Sequence, residues 1–175
     1  MSERTQRRLA AIVAADVVGY SRLIGIDEEG TLNALREVRR DIISPALSAH
    51  GGRIANTAGD SFLLEFPSVV DAVRCALAVQ QTMTERYAGV PEDRRIMFRV
   101  GINVGDVVAD GTDLLGDCVN VAARLENLAE PGGIALSDDA YRQVRDKLDM
   151  SWKDAGEHAL KNISRSIQVW HWSAQ

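Results

Sequence analysis

The feature that most constrains the fold is the segment GGRIANTAGDSFLLEF at residues 51–66. Apolar runs flank residues 57–60, a pattern that predicts two strands joined by a tight turn, because Gly and Asp are frequent in such turns. The segment therefore predicts an antiparallel pair of strands, with Asp60 placed on the turn. Asn56 lies at the end of the first strand, close to this turn.

The segments around this hairpin alternate between strand and helix patterns. Residues 9–15, LAAIVAA, form a short apolar run that ends at Asp16 and predicts a buried strand. Apolar residues recur at helical spacing within residues 28–50, where Pro45 is expected to kink the helix. A second helix is expected from Ser68 onwards. The hairpin is thus preceded by a strand and a helix and followed by another helix.

The rest of the chain adds further strands and helices. Residues 95–110 predict a long strand bent at its glycines, and residues 117–128 predict a helix. Residues 133–137 and two pieces within 152–170 predict shorter strands. The first elements run strand, helix, strand, strand, helix, strand, which is the order of a ferredoxin-like βαββαβ unit. We therefore predict an α+β fold with a ferredoxin-like core, extended by extra strands and helices.

Length, charge and the spacing of reactive residues limit the function. The chain has 175 residues and a net charge of −5, so we expect one domain over residues 9–172, a basic leader at residues 1–8 and no nucleic-acid partner. No apolar run reaches the roughly 18 to 20 residues that span a bilayer, and no signal peptide is recognised, which predicts a cytoplasmic protein. We expect core thiols, without a disulfide or zinc site, and no histidine metal ligands. The residues concerned are Cys75, Cys118, His50, His158 and His171.

Asp16 and Asp60 are candidate metal ligands. Asp16 ends the first strand, and Asp60 lies on the turn between the next two strands, which are its neighbours in a ferredoxin-like sheet. Two unpaired carboxylates brought together repel each other, and a hard divalent ion that also binds a phosphate substrate would neutralise them. The alternative is that Asp60 merely suits a turn and that Asp16 caps the following helix.

Two further segments carry groups that suit a phosphorylated ligand. Backbone N–H groups after the first strand can form an anion cradle at a helix start. They belong to Val18, Gly19, Tyr20 and Ser21. Neither a P-loop nor a dinucleotide-binding glycine motif occurs in the sequence. Asn120 and Arg124 are one helical turn apart, so they share one face of the expected helix. That face either lines a site or is the solvated side.

Three motifs carry a family resemblance: ADVVGYS, GGRIANTAGDSFLLEF and LLGDCVNVAARLE, in this order and at these separations. Together they resemble the catalytic domain of the bacterial class III adenylyl and guanylyl cyclases. The resemblance covers about residues 10–170, and GEHALKNISRSIQVW is similar to the end of such domains. It implies a reaction in which the ribose 3′-oxygen of a nucleoside triphosphate attacks its own α-phosphorus, pyrophosphate leaves and a 3′,5′-cyclic nucleotide forms.

The resemblance also implies roles for the site residues. Asp16 and Asp60 match the family's metal-binding aspartates, which hold two Mg²⁺ or Mn²⁺ ions in each active site. Arg124 matches the arginine that stabilises the transition state, and Asn120 matches the residue that orients the ribose. Lys161 falls near a lysine that contacts the terminal phosphates in some members. These roles agree with the chemistry of a carboxylate pair and a forked guanidinium donor.

The resemblance further implies how the site is assembled. Family members build it at a dimer interface, where the aspartates come from one subunit and the Asn and Arg come from the other. One chain that carries both halves is therefore expected to form a head-to-tail homodimer with two equivalent sites, and a monomer is expected to be inactive. Bacterial relatives commonly attach such a domain to a regulatory domain, so a regulatory domain in the full-length protein is left open.

Base selection is where the sequence departs from the family pattern. Adenylyl cyclases of this type carry Lys at the position of Asn56, whereas Asp113 matches the acid of adenine-selective members. Asp113 can accept a hydrogen bond from the adenine 6-amino group, and Asn56 can donate to adenine N1 through a water or accept from guanine N1–H. We expect ATP as the substrate. The alternatives are a guanylyl or dual-specificity cyclase, and a cyclase-like domain that binds a nucleotide or a partner with little turnover.

Overall fold

The computed structural model describes residues 6–111 and 113–174. The chain folds into one mixed β-sheet with helices on both faces. The strands are β1 (Gln6–Val17), β2 (Arg53–Ala58), β3 (Ser61–Phe66), β4 (Phe98–Asp110), β5 (Asp113–Leu115), β6 (Gly133–Ser137), β7 (Lys153–Ala159) and β8 (Ser166–Ser173). The α-helices are α1 (Tyr20–Ile26), α2 (Glu28–Val38), α3 (Ser44–His50), α4 (Val69–Arg86), α5 (Asp117–Leu128) and α6 (Asp138–Val144). A π-helical turn (Arg39–Ile43) and a 3-10 turn (Glu92–Arg94) complete the helical segments.

The first four strands form the ferredoxin-like core that the sequence predicts. They lie in the order β2-β3-β1-β4, and every neighbouring pair is antiparallel. Helices connect β1 to β2 and β3 to β4, which gives the βαββαβ order. The sheet continues with β6, parallel to β4, and then with β8 and β7, while β5 pairs with β4 outside this row. The predicted α+β fold with an extended core is confirmed.

Two local features differ from the sequence-based expectation. Strand β1 begins at Gln6, where it pairs with the far end of β4, whereas a basic leader was expected up to residue 8. Residues 1–5 of that leader lie outside the described residues. Pro45 is expected to kink the helix; the structure has the π-helical turn (Arg39–Ile43) just before it, and Pro45 is the second residue of α3, which begins at Ser44. Proline fits a first helical turn because it lacks the N–H that would bond to the turn before it.

The two faces of β1 belong to different apolar clusters. Its Ala11, Val13 and Ala15 pack towards α2, α3 and α4. Alternate residues, Ala10, Ile12 and Ala14, pack towards α5 instead. We call this second side of the sheet the α5 face. Because side chains alternate along a strand, Asp16 continues the row of Ile12 and Ala14 and belongs to the α5 face.

The hairpin of β2 and β3 is tied to β1 through the buried side chain of Glu65. Arg8 of β1 and Arg53 of β2 each donate to Glu65 at 2.6 Å. Burial alone would raise the pKa of Glu65, but the hydrogen bonds and charges of Arg8 and Arg53 outweigh it and the pKa is lowered. Three strands are thereby held together on the α5 face.

Two other expectations concern the thiols and the membrane. Cys75 and Cys118 are buried and free, as predicted. Within the described part of the chain, none of the helices combines the length and the apolar character that a membrane-spanning helix requires.

Candidate active site

Asp16 and Asp60 meet at the end of β1. Strand β3 pairs with β1 up to the Ala15–Phe62 position, so the turn between β2 and β3 lies beside the end of β1. The turn uses Gly59 in the left-handed region, with φ of 60°, a conformation that favours glycine. The backbone N–H of Val17 donates to Asp60 Oδ2 at 3.2 Å, which fixes the carboxylate against the strand that carries Asp16. The structure therefore brings these two predicted residues together.

The electrostatics of this pair favour a cation. Burial, and the negative charge of Asp16, raise the pKa of Asp60, although hydrogen bonds from its own N–H and that of Val17 act in the opposite direction. Within the described residues, no group of three or more His, Cys, Asp or Glu side chains is arranged to enclose a metal ion. Mg²⁺ is usually held by one or two carboxylates together with substrate phosphates, so a pair of aspartates is a donor set that fits such an ion.

A third carboxyl group, Glu126 on α5, lies against this pair and was not singled out in the sequence. Its side chain is only 8% exposed. Burial above all raises the pKa of Glu126 to about 9, and hydrogen bonding with Asp16 and the charges of Asp16 and Asp60 act in the same direction, against the positive charge of Arg99. The helical periodicity of the sequence could have identified Glu126. Ala122 and Leu125 lie on the apolar stripe of α5, and the next position on that stripe is this acid.

Arg99 adds a positive charge beside the carboxyl groups. It lies directly opposite Asp16 in the pairing of β1 with β4. Its Nε is buried and has no hydrogen-bond partner among the described residues. The carboxyl cluster is therefore partly balanced by a guanidinium that keeps donor capacity to spare.

A glycine and a buried asparagine of β4 fix how α5 packs on this strand. A Cβ added at Gly101 would lie 2.3 Å from the backbone N of Glu126 and 2.5 Å from the carbonyl O of Ala122. Farther along β4, Asn103 donates from Nδ2 to the carbonyl O of Cys118 at 3.3 Å and accepts from Ser137 Oγ at 2.6 Å. These contacts set the height and the register of α5 above the sheet.

Asn120 and Arg124 lie on the outer side of α5. Asn120 is exposed and Arg124 is half-buried, and neither side chain has a hydrogen-bond or ion-pair partner within residues 6–111 and 113–174. A helix turns by about 100° per residue, so Arg124 points about 200° away from Glu126. Within one chain, Asn120 and Arg124 are therefore separated from Asp16 and Asp60. Asn120 and Arg124 lie on the outer side of α5, whereas Asp16 and Asp60 lie on its inner side.

A β-bulge sets the direction of Asn56. Ile54 pairs with Leu64, but Asn56 pairs with Leu63, so Ala55 is an extra residue in β2. Leu63 packs on the α5 face, and the bulge turns Asn56 towards that face, whereas regular alternation would place it on the side of Ile54. The base-selecting residue inferred from the sequence thus depends on a bulge that the sequence analysis did not include.

The remaining candidates lie around the same face. Exposed Asp113 opens β5, which pairs with the end of β4 and contacts β2 and α5. Exposed Lys161 is on the turn from β7 to β8, next to Leu160, which packs in the cluster beneath α5. In the segment after β1, Gly19 is left-handed and precedes α1. The N–H of Val18 donates to the carbonyl of Met97 at 2.8 Å, so the expectation that it contributes to an anion cradle is wrong, and the expectation stays with Gly19, Tyr20 and Ser21.

The sequence matches a family model and a longer bacterial relative. The family model described as "Adenylate and Guanylate cyclase catalytic domain" matches residues 3–172. A Rhizobium meliloti protein named "Putative adenylate cyclase 3" is 47% identical over 171 residues, a match that takes in 98% of this chain and 29% of that protein. The chain thus spans less than a third of the length of this relative.

Solved structures share the fold. A structure described as an adenylate/guanylate cyclase/hydrolase from Silicibacter pomeroyi matches with a TM-score of 0.94 at 44% identity, over 98% of this chain and 100% of that chain. The adenylyl cyclase CyaB from P. aeruginosa matches with a TM-score of 0.84 at 24% identity, over 97% and 95% of the two chains. At that lower identity the likeness is one of fold alone.

Proposed function

Because the chain belongs to the adenylate and guanylate cyclase catalytic domain family, we propose that it converts ATP to 3′,5′-cyclic AMP and pyrophosphate. The observation that carries this proposal is the meeting of Asp16 and Asp60 at the end of β1, where burial and mutual repulsion favour a cation. The catalytic domain is assigned to residues 6–172, because β1 begins at Gln6 rather than at residue 9.

Asp16 and Asp60 are proposed to hold two divalent ions, Mg²⁺ or Mn²⁺. When bound, such ions lower the pKa of an attacking hydroxyl and neutralise a triphosphate. The fit rests on the donor set, since two carboxylates beside a phosphate-binding segment are the oxygen ligands that these ions prefer. Gly19, Tyr20 and Ser21 are assigned to the phosphate side of the site, and Val18 precedes them with its N–H bonded to Met97.

The other side chains act on the nucleotide itself. Arg124 offers a forked guanidinium to the charge that builds on the α-phosphate as its bond to pyrophosphate breaks. Asn120 orients the ribose so that its 3′-oxygen faces the α-phosphorus. Lys161 contacts the terminal phosphates. Each of these side chains is exposed or half-buried, on the outer side of α5 or on a surface turn.

The site is proposed to form between two copies of the chain, arranged head to tail. Asp16 and Asp60 lie on the inner side of α5, whereas Asn120 and Arg124 lie on its outer side, so one chain does not converge all four on one substrate. A two-fold dimer lets the outer side of one α5 face the carboxylates of the partner and makes two equivalent sites. A regulatory domain attached to this chain would be compatible with this arrangement.

Base selection is assigned to Asn56 and Asp113. Both are exposed on elements that contact each other, β2 and β5. Asp113 accepts from the 6-amino group of adenine, which favours ATP. Asn56 is uncharged and can donate or accept, so it also tolerates the N1–H of guanine, and GTP is the second candidate substrate.

The decisive experiment incubates the purified chain with Mn²⁺ and either ATP or GTP and identifies the product. We expect cyclic AMP from ATP, and we expect the Asp60→Ala variant to lose at least about 10²-fold in rate because one of two metal-binding carboxylates is removed. The matched control is Asp149→Ala, an exposed acid outside the site. Cyclic GMP as the sole product would show that the chain is a guanylyl cyclase and would contradict the proposed use of ATP. The absence of both products, with Asp60→Ala unchanged in nucleotide binding, would leave a cyclase-like binding domain.

Replacing Asn56 by Lys is expected to sharpen the preference for ATP. A lysine ammonium next to Asp113 would hold that carboxylate in place and donate to adenine N1, where guanine presents a donor of its own. The ratio of kcat/KM for ATP to that for GTP should rise about ten- to a hundredfold. Thr57→Lys is the matched control, since Thr57 pairs with Phe62 and lies on the opposite side of β2. Equal ratios in both variants would remove Asn56 from base selection.

A further inference from the structure

Asn103 is a buried amide in the middle of the sheet, on the side of β4 that faces α5. Its side chain is only 3% exposed. Ile102 of β4 lies opposite Leu136 of β6, so Asn103 is next to Ser137, which ends β6 and is 2% exposed. Burying an amide opposes folding unless its oxygen and its nitrogen both find partners. Asn103 has a partner for each.

Ser137 fixes the orientation of the Asn103 amide. The Ser137 hydroxyl oxygen accepts from the N–H of Ala140 at 3.2 Å and donates its single hydrogen to Asn103 Oδ1 at 2.6 Å. The oxygen of the amide is thereby held towards β6, and its NH₂ group points towards α5. There Asn103 Nδ2 donates to the backbone carbonyl of Cys118 at 3.3 Å. The amide therefore presents one donor, in one direction, to the start of α5.

The first turn of α5 needs such a contact because its local anchoring is weak. Within the described residues no side chain caps this helix start, which is formed by Gly116. Helices more often begin at Ser, Thr, Asp or Asn, whose side chains bond to the first turn. The N–H of Asn120 donates to the Gly116 carbonyl at 3.3 Å, longer than the usual distance of about 2.9 to 3.0 Å. The bond from Asn103 to Cys118 ties this turn to the sheet.

We propose that Asn103 is a positioning residue for the reaction, which holds the first turn of α5 through Cys118 so that Asn120 keeps a fixed direction towards the ribose. This inference rests on the proposed function, because the role of Asn120 belongs to it. The close approach at Gly101 anchors α5 at Ala122 and beyond, which leaves the first turn to Asn103. A misplacement of about 1 Å in a group that orients a substrate lowers a rate by about 10²-fold.

The first test is kinetic and uses Asn103→Leu, which removes both hydrogen bonds and nearly keeps the volume. We expect kcat to fall about tenfold and KM for ATP to stay within about threefold, because orientation is lost while the groups that bind ATP remain. Gln80→Leu is the matched control. Gln80 is a buried amide of α4, on the other face of the sheet, and donates to the carbonyls of Phe98 at 3.0 Å and Gly133 at 2.8 Å. It should lower the urea midpoint comparably but leave kcat within about twofold.

A double-mutant cycle with Asn120→Ala separates positioning from general loosening. If Asn103 acts through Asn120, adding Asn103→Leu to Asn120→Ala should lower kcat by less than about twofold further. A general loosening would lower kcat by the same factor with or without Asn120. Independent effects in this cycle would overturn the proposal, as would equal losses of kcat in Asn103→Leu and Gln80→Leu.

The second test is native-state hydrogen exchange without nucleotide, which needs no turnover. In Asn103→Leu the backbone amides at residues 120–122 should exchange about tenfold faster, while those at residues 125–128 and all of α5 in Gln80→Leu stay unchanged. Unchanged exchange at residues 120–122 would overturn the proposal. If Asn103→Leu does not fold, Ser137→Ala replaces it, because it removes the group that orients the amide, and about threefold effects are expected. A parent chain that makes no cyclic nucleotide would contradict the proposed function, whereas the exchange pattern would still decide whether Asn103 holds the first turn.

Discussion

Mixing the Asp16→Ala and Arg124→Ala proteins is expected to restore cyclase activity that neither variant has alone. Each variant should lose at least about 10²-fold in rate, because one lacks a metal-binding carboxylate and the other lacks the donor to the α-phosphate. In a mixed dimer, one site takes Asp16 from the Arg124→Ala chain and Arg124 from the Asp16→Ala chain, so it is intact. With free exchange of subunits, activity should reach about a quarter of that of the unsubstituted protein.

The matched control mixes Asp16→Ala with Asp60→Ala. Both residues belong to the same half of the site, so every site in that mixture lacks one carboxylate and no rescue is expected. Differently tagged chains, observed by native mass spectrometry, establish that mixed dimers are present. Activity that stays absent in a demonstrated Asp16→Ala and Arg124→Ala dimer would count against a site shared between subunits, as would equal rescue in the control.

Gly101→Ala is expected to disrupt the fold around α5 and to abolish activity with it. The added methyl group would lie 2.3 Å from the Glu126 backbone N, 2.5 Å from the Ala122 carbonyl O and 2.9 Å from the Leu125 carbonyl C. All three atoms are backbone, so no side-chain rotation relieves the clash and α5 has to move away from β4. We expect a loss of about 3 kcal/mol in the free energy of unfolding, measured by urea denaturation.

Gly105→Ala is the matched control for this substitution. Gly105 lies on the same strand and also faces α5, but a Cβ there meets only the side chain of Cys118, at 3.5 Å, which is an ordinary contact. Alanine also restricts the unfolded chain more than glycine does, so the free energy of unfolding should stay level or rise by up to about 1 kcal/mol. Equal destabilisation by the two substitutions would show that the close approach at Gly101 is not what holds α5.

Much of the architecture could be predicted because it is written in local patterns. The apolar run that ends at Asp16, the hairpin around Asp60 and the helical periods between them each depend on neighbouring residues only. Their order along the chain selects a ferredoxin-like sheet, in which β1 and β3 are neighbours. The meeting of Asp16 and Asp60 follows from that topology, and the structure brings these two side chains together at the predicted place.

Other features could not be predicted because they depend on contacts between distant segments. In the sequence, Glu126 is one polar residue near the end of a helix. In the fold, α5 packs on β4, and Glu126 is buried beside Asp16. The bulge at Ala55 is invisible in RIANTA, since it appears only as a shift in the pairing of β2 with β3. Arg8 is part of a basic leader by its sequence, yet in the structure it belongs to β1 and donates to Glu65.

The sequence by itself determined the elements, their order and the positions of the carboxylates, because strand and helix periods and turn chemistry act over a few residues at a time. Only the tertiary structure decided which of the candidate site residues lie on the same side of α5. Asp16, Asp60 and Glu126 lie on the inner side of α5, which faces the sheet, whereas Asn120 and Arg124 lie on its outer side. The physical reason is that the packing of α5 against β4 at Gly101 fixes the rotation of α5 about its axis. This rotation determines which side chains of α5 are buried, and the contact joins segments that are distant in the sequence.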